Sequence, residues 1–146
     1  MKNLESQICT TMEQSKRLLK LGVKPETADM LHYKSASMKI WGVLATPYSK
    51  EVNGLEKYYF PAWSLHRLIA MLPNVIYTTI LSVPINYPDI KIIDFEHNSI
   101  EYLNRSGYRR MFYKNKGKYA LYNNIIDCIE WLIQEGHFNK EYLKEK

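Results

Sequence analysis

The residues best placed for acid–base chemistry are Asp94, Glu96 and His97, beside a turn signal at His97-Asn98-Ser99. Residues two apart on a strand share a face, so Asp94 and Glu96 are expected to project together with an imidazole at hand. A solvated strand end running into a turn explains the same three residues without catalysis, and that plainer reading is preferred. Ser64-Leu65-His66 sets a hydroxyl near an imidazole, but Ser64 is accounted for as a helix cap. Cys128 stands between Ile125 and Leu132 on an apolar helical stripe, where a thiol packs rather than reacts. His32, His66, His97 and His137 show no zinc-ligand spacing on a shared helix. The glycines fall singly, at 22, 42, 54, 107, 117 and 136, and build neither a dinucleotide loop nor a phosphate cradle. No catalytic residue, metal ligand or cofactor is assigned, and the chain is read as a non-enzyme.

The other chemistry on offer is recognition of anions. Arg105, Arg109, Arg110, Lys114, Lys116 and Lys118 follow one another with no acid among them. These six cations exceed the whole-chain net charge of +5, so the remainder carries −1. Tyr108, Phe112, Tyr113 and Tyr119 are interleaved with them, and cations with aromatic rings suit phosphates and unpaired bases. If the segment is one strand, Tyr108, Arg110, Phe112 and Lys114 share a face, and Arg109, Met111 and Tyr113 share the other. Neither face is then purely basic or purely aromatic. An edge strand whose charges block edge pairing fits the same pattern.

The elements that would hold these groups are readable from caps and periodicity. Thr11-Met12-Glu13-Gln14 has the form of a capping box and Gly22 that of a helix terminator, which gives a helix over 11–21 with Ile8 packing under its start. Residues 28–34 and 37–44 read as two short strands around a turn at Ser35-Ala36-Ser37. Tyr58-Tyr59-Phe60 reads as another strand. Ser64 caps a helix whose face is Leu65, Leu68, Ile69 and Leu72, stopped by Pro73. Residues 75–85 form a strand or an extended loop. Segments 90–95, 100–103 and 108–113, joined by short turns, give an antiparallel meander. A last helix carries Leu121, Ile125, Ile129 and Leu132 in one stripe, widened by Ile126 and Ile133, and ends at Gly136. Residues 139–146 are a short helix or a frayed tail. The expected architecture is one α+β domain over 1–146, an antiparallel meander covered by helices on one face.

Two isolated cysteines, Cys9 and Cys128, point to free thiols in a reducing compartment. The first seven residues lack the apolar run of a signal peptide, and no stretch of about 18 apolar residues spans a membrane. A cytoplasmic protein is expected. Twelve tyrosines, with Tyr58, Tyr59 and Trp63 read as exposed, suit a protein interface.

Three blocks run together: residues Met12 to Val23, residues Trp63 to Pro73, and residues Asp127 to Phe138. In this order they resemble small proteins carried by phages and mobile elements of gut bacteria. The resemblance implies a bacterial or phage-infected cytoplasm and an α+β fold. It implies no site residues, because that group has no established activity. The expected function is therefore non-catalytic: an accessory protein that binds another protein. Nucleic-acid binding through residues 105–118 is the alternative.

Overall fold

The structure, a computed structural model, describes residues 7–49, 55, 57–77, 79–80, 83–84, 88–105, 107 and 109–145. The fold is α+β; among the described residues it has three α-helices and two principal antiparallel sheets of three and four strands. The chain divides into two compact units, Met1–Ala70 with Lys140–Lys146, and Met71–Asn139.

In the first unit, helix α1 (Met12–Lys20) begins with the expected capping box. The Thr11 hydroxyl accepts the Gln14 N–H, and the Gln14 side chain accepts the Thr11 N–H. It ends as expected too. Gly22, at φ 97°, lets the amides of Gly22 and Val23 return to the carbonyls of Leu19 and Leu18. Ile8 does not pack under this helix; it is exposed. Three strands follow in the order β2-β1-β3: β1 (Met30–Tyr33), β2 (Gly42–Leu44) and β3 (Tyr59–Ala62). The link between β1 and β2 spans residues 34–41, far more than the three-residue turn expected. Met38 to Trp41 alternate in the sequence but join no strand, and Ile40 is exposed. Pro61 sits in β3, an edge strand, where a missing N–H is tolerated.

The core of this unit is partly polar. Trp63 is fully buried, and its indole N–H donates to the Thr27 hydroxyl at 2.9 Å. That burial corrects the reading of Trp63 as an exposed interface aromatic; of the three, Tyr58 is exposed and Tyr59 half-buried. His32 Nε2 lies 2.8 Å from the Thr10 carbonyl, which can only accept, so Nε2 carries a proton. Burial holds His32 below the usual imidazole range. Helix α2 (Leu65–Met71) is capped by Ser64, whose hydroxyl accepts the Arg67 N–H and donates to the Asp29 carboxylate. The tail does not fray. The amides of Lys24 and Lys144 bind the carbonyls of Tyr142 and Gly22, each at 2.8 Å.

The second unit holds the meander. Its sheet runs β4-β7-β8-β9, with β4 (Val75–Ile76), β7 (Asp89–Asp94), β8 (Ser99–Leu103) and β9 (Arg109–Phe112) all antiparallel to their neighbours. Residues 75–85 are thus not one strand: besides β4 they give the small pair β5 (Thr79–Ile80) and β6 (Val83–Pro84). Helix α3 (Ala120–Gln134) lies on one face of the four-stranded sheet, where Ile100, Tyr102 and Phe112 are buried. Trp131 packs there, 6.4 Å from the Tyr102 ring and 5.8 Å from Phe112. Gly136, at φ 76°, closes the helix as Gly22 closes α1.

Cys9 and Cys128 are both free and buried. Desolvation pushes the Cys9 thiol up to about 11, and pushes Cys128 up further, so neither is an activated thiolate. Thiol titration under denaturing, non-reducing conditions should count two per chain and near zero in the folded protein. Rapid labelling of the native state would show that these side chains are not buried. Among the described residues, no helix is long and apolar enough to cross a membrane.

Candidate functional site

The basic segment does not form one surface. Strand β9 stops at Phe112, and the residues before, within and after it go different ways. Arg105 is exposed in the link between β8 and β9, and Tyr108 lies outside the described residues. Within β9, Phe112 is buried under α3, and the Arg110 guanidinium on the same face stacks 5.6 Å from the Trp131 ring. Arg109 points to the opposite face and lies 3.6 Å from Glu101. Lys114, Lys116 and Lys118 are exposed on the connection from β9 to α3. Lys114 therefore does not extend the face of Arg110 and Phe112, as continuous alternation required.

The strand ends there because the chain is captured. Asn115 donates its backbone N–H and its side-chain Nδ2 to Asn124 Oδ1, at 3.0 and 2.8 Å. Its Nδ2 also reaches Asp127 at 2.7 Å. Asn124 is fully buried, and its own Nδ2 donates to the Asn98 carbonyl at 2.7 Å and the Asn115 carbonyl at 3.3 Å. One side chain thus fastens the connection after β9 to the turn between β7 and β8. Asn98 is held in the left-handed region at φ 52° in that turn. Sequence reasoning passed over Asn124. The available signal was its place three residues after Leu121 and four before Cys128, a polar residue at a core position of the stripe.

The acid–base residues are rearranged relative to expectation. Strand β7 stops at Asp94, so Glu96 is in the turn and shares no strand face with it. The pair that forms is Asp94 with His97, Oδ2 to Nδ1 at 2.7 Å. Asp94 Oδ1 accepts the N–H groups of Glu96 and His97 at 3.0 and 3.1 Å. The hydrogen bond from the His97 ring, followed by that from its N–H, holds the Asp94 carboxyl below the usual range. Both oxygens serve the turn, which is the role of a side chain closing a reversal. In the first unit a cleft of about 260 Å³ is lined by Tyr33, Lys34, Ser35, Ala36, Tyr58 and Tyr59. That falls short of the roughly 300–1,000 Å³ of small-molecule sites.

The remaining surface of note is the sheet face turned away from α3. Register places Val75, Ile90, Leu103 and Arg109 in one row across it, and Ile92, Glu101 and Met111 in the next. An antiparallel sheet with one face toward water ordinarily alternates apolar-in, polar-out. Here the outward positions are mostly apolar as well, with Ile90 53%, Val75 41% and Ile92 39% exposed.

Neither a family model, nor a curated protein, nor a solved structure is significantly similar to this chain. The reading of function therefore rests on the geometry above.

Proposed function

We propose that this chain is a non-catalytic cytoplasmic binding protein, an accessory factor of phage or mobile-element origin, that docks an acidic protein partner on the open face of its four-stranded sheet. The observation that carries this reading is the exposure of Val75, Ile90 and Ile92 on contiguous positions of that face. Contiguous apolar surface exposed on a folded protein marks an interaction site, whereas single exposed apolar residues do not. The side chains are short and mostly β-branched on a hydrogen-bonded sheet, so little conformational entropy is lost when they are covered.

The partner's charge follows from the rim. Arg109 stands in the same row, 58% exposed at its side chain, and the chain carries +5 overall. A net positive charge steers acidic partners and speeds their association. Glu101, mostly buried in the centre, lies 3.6 Å from Arg109, and its Oε2 has no hydrogen-bond partner among the described residues.

The test is a photo-crosslinking residue placed at Ile92, with the crosslinked protein then purified and its binding measured directly. An acidic protein bound at micromolar affinity or tighter is expected. Ile90→Glu/Ile92→Glu should weaken binding by more than about a hundredfold, because both apolar anchors are lost and like charge then faces the acidic partner. These positions are exposed, so the variant should melt like the parent. Unchanged affinity in that variant would move the interface elsewhere and end this reading.

A further inference from the structure

The connection between β9 and α3 differs from an ordinary charged loop in three respects. It is fixed: Asn115, at its middle, is held by backbone and side chain to the buried Asn124 and by side chain to Asp127. It exposes rings: Tyr113 is 46% and Tyr119 39% accessible. Each ring has its own cation, Lys116 Nζ 5.7 Å from the Tyr113 centroid and Lys118 Nζ 5.5 Å from that of Tyr119. Lys114 adds a third exposed ammonium. No acid occurs in the sequence between Glu101 and Asp127, and Asp127 is bonded to Asn115.

We infer that residues 113–119 form a contact site for single-stranded nucleic acid, with bases stacking on Tyr113 and Tyr119 and phosphates neutralised by Lys114, Lys116 and Lys118. Each ammonium lies over its ring, so a stacking base takes the opposite face or displaces the lysine, and the phosphate next to that base then lies within the lysine's reach. The motif occurs twice within seven residues, which suits consecutive nucleotides of one strand. An acidic peptide would use the lysines but has no need of the rings. A duplex would also use only the lysines, because its bases are stacked on one another and this loop supplies neither a helix nor a β-ribbon to enter a groove. The fixed backbone matters because the ordering entropy of the loop is lost on folding rather than on binding. This site is independent of the open sheet face, and either can fail without the other.

Fluorescence anisotropy with labelled oligo-dT and oligo-U of about ten nucleotides, a site size within the usual range, tests the inference at about 50 and 150 mM salt. Binding of both strands is expected at the lower salt, with matched duplex weaker. Three phosphate contacts at about 0.7 each give a slope of log affinity against log salt near −2. Tyr113→Ala/Tyr119→Ala should weaken binding at least about fivefold per ring. Lys114→Gln/Lys116→Gln/Lys118→Gln should flatten the salt slope toward zero. All five side chains are exposed, and Tyr119 makes no side-chain cap to α3, so both variants should keep the parent's melting temperature. Three results would each overturn the site: no binding at the lower salt, equal affinity for duplex, or single-strand binding that the tyrosine variant retains.

Discussion

Truncating Leu132 to alanine will destabilise the second unit by about 2–5 kcal/mol. Leu132 is fully buried in α3, and its neighbours on the stripe, Ile125, Cys128 and Ile129, are equally inaccessible. The removed atoms lose their transfer free energy, and a cavity remains wherever the surroundings cannot close. Here they are confined. The sheet beneath is hydrogen-bonded through four strands, and the Leu132 carbonyl accepts the amides of His137 and Phe138 at 2.8 and 3.2 Å, which anchors the end of the helix. Little collapse is therefore available, and the cost should fall in the upper half of that range. Ile133, one residue on and only half-buried, supplies the contrast: Ile133→Ala should cost clearly less. Denaturant titration of both variants, read on the transition in which α3 melts, decides it, since the midpoint should shift while the slope does not. A midpoint for Leu132→Ala equal to that of the parent would mean that this helix face does not cover the sheet.

Much of the scaffold was legible because local chemistry dictated it. The capping box at Thr11 and Gln14, the terminators Gly22 and Gly136, the Ser64 cap and the stripe of α3 all stand where the sequence put them. Each depends on residues within one or two turns. The meander was legible for the same reason, its strands being adjacent in sequence and joined by short turns. What sequence pattern could not supply was the fate of residues decided by distant partners. Trp63 looks like an interface aromatic until Thr27, 36 residues away, accepts its indole N–H. Met38 to Trp41 alternate like a strand, yet pairing with β1 begins only at Gly42. The sequence ends the third strand at Tyr113, before Asn115-Lys116-Gly117, and the structure ends it at Phe112; what no local pattern shows is that Asn124, nine residues beyond Asn115, holds the connection that follows. Asp94 and Glu96 parted for a local reason instead: the Asp94 carboxylate closes its own turn by accepting the N–H groups of Glu96 and His97.

Asn124 is accordingly the side chain whose replacement should disturb the candidate site most. Asn124→Leu keeps the number and branching of the side-chain heavy atoms but is bulkier, so some overpacking at this fully buried position adds to the loss of the polar partners. The Asn115 N–H and the Asn98 carbonyl would each be left without the bond that Asn124 supplies. An unsatisfied buried group costs roughly 1–3 kcal/mol, and both groups are half-buried, so the sum should be on the order of 3 kcal/mol. Asn115→Ala should cost less, about 1 kcal/mol, because the backbone N–H of residue 115 still reaches Asn124 Oδ1. The two variants also differ in where order is lost. Asn124→Leu releases both the turn at residues 95–98 and the connection at 113–118, whereas Asn115→Ala loosens only the latter. Hydrogen exchange resolved by peptide should show faster exchange in both segments for Asn124→Leu, with the middle of α3 protected. If Asn124→Leu melted with the parent and kept both segments protected, the buried amide would not be what holds these two loops together, and the rigid presentation of Tyr113, Tyr119 and the three lysines would need another cause.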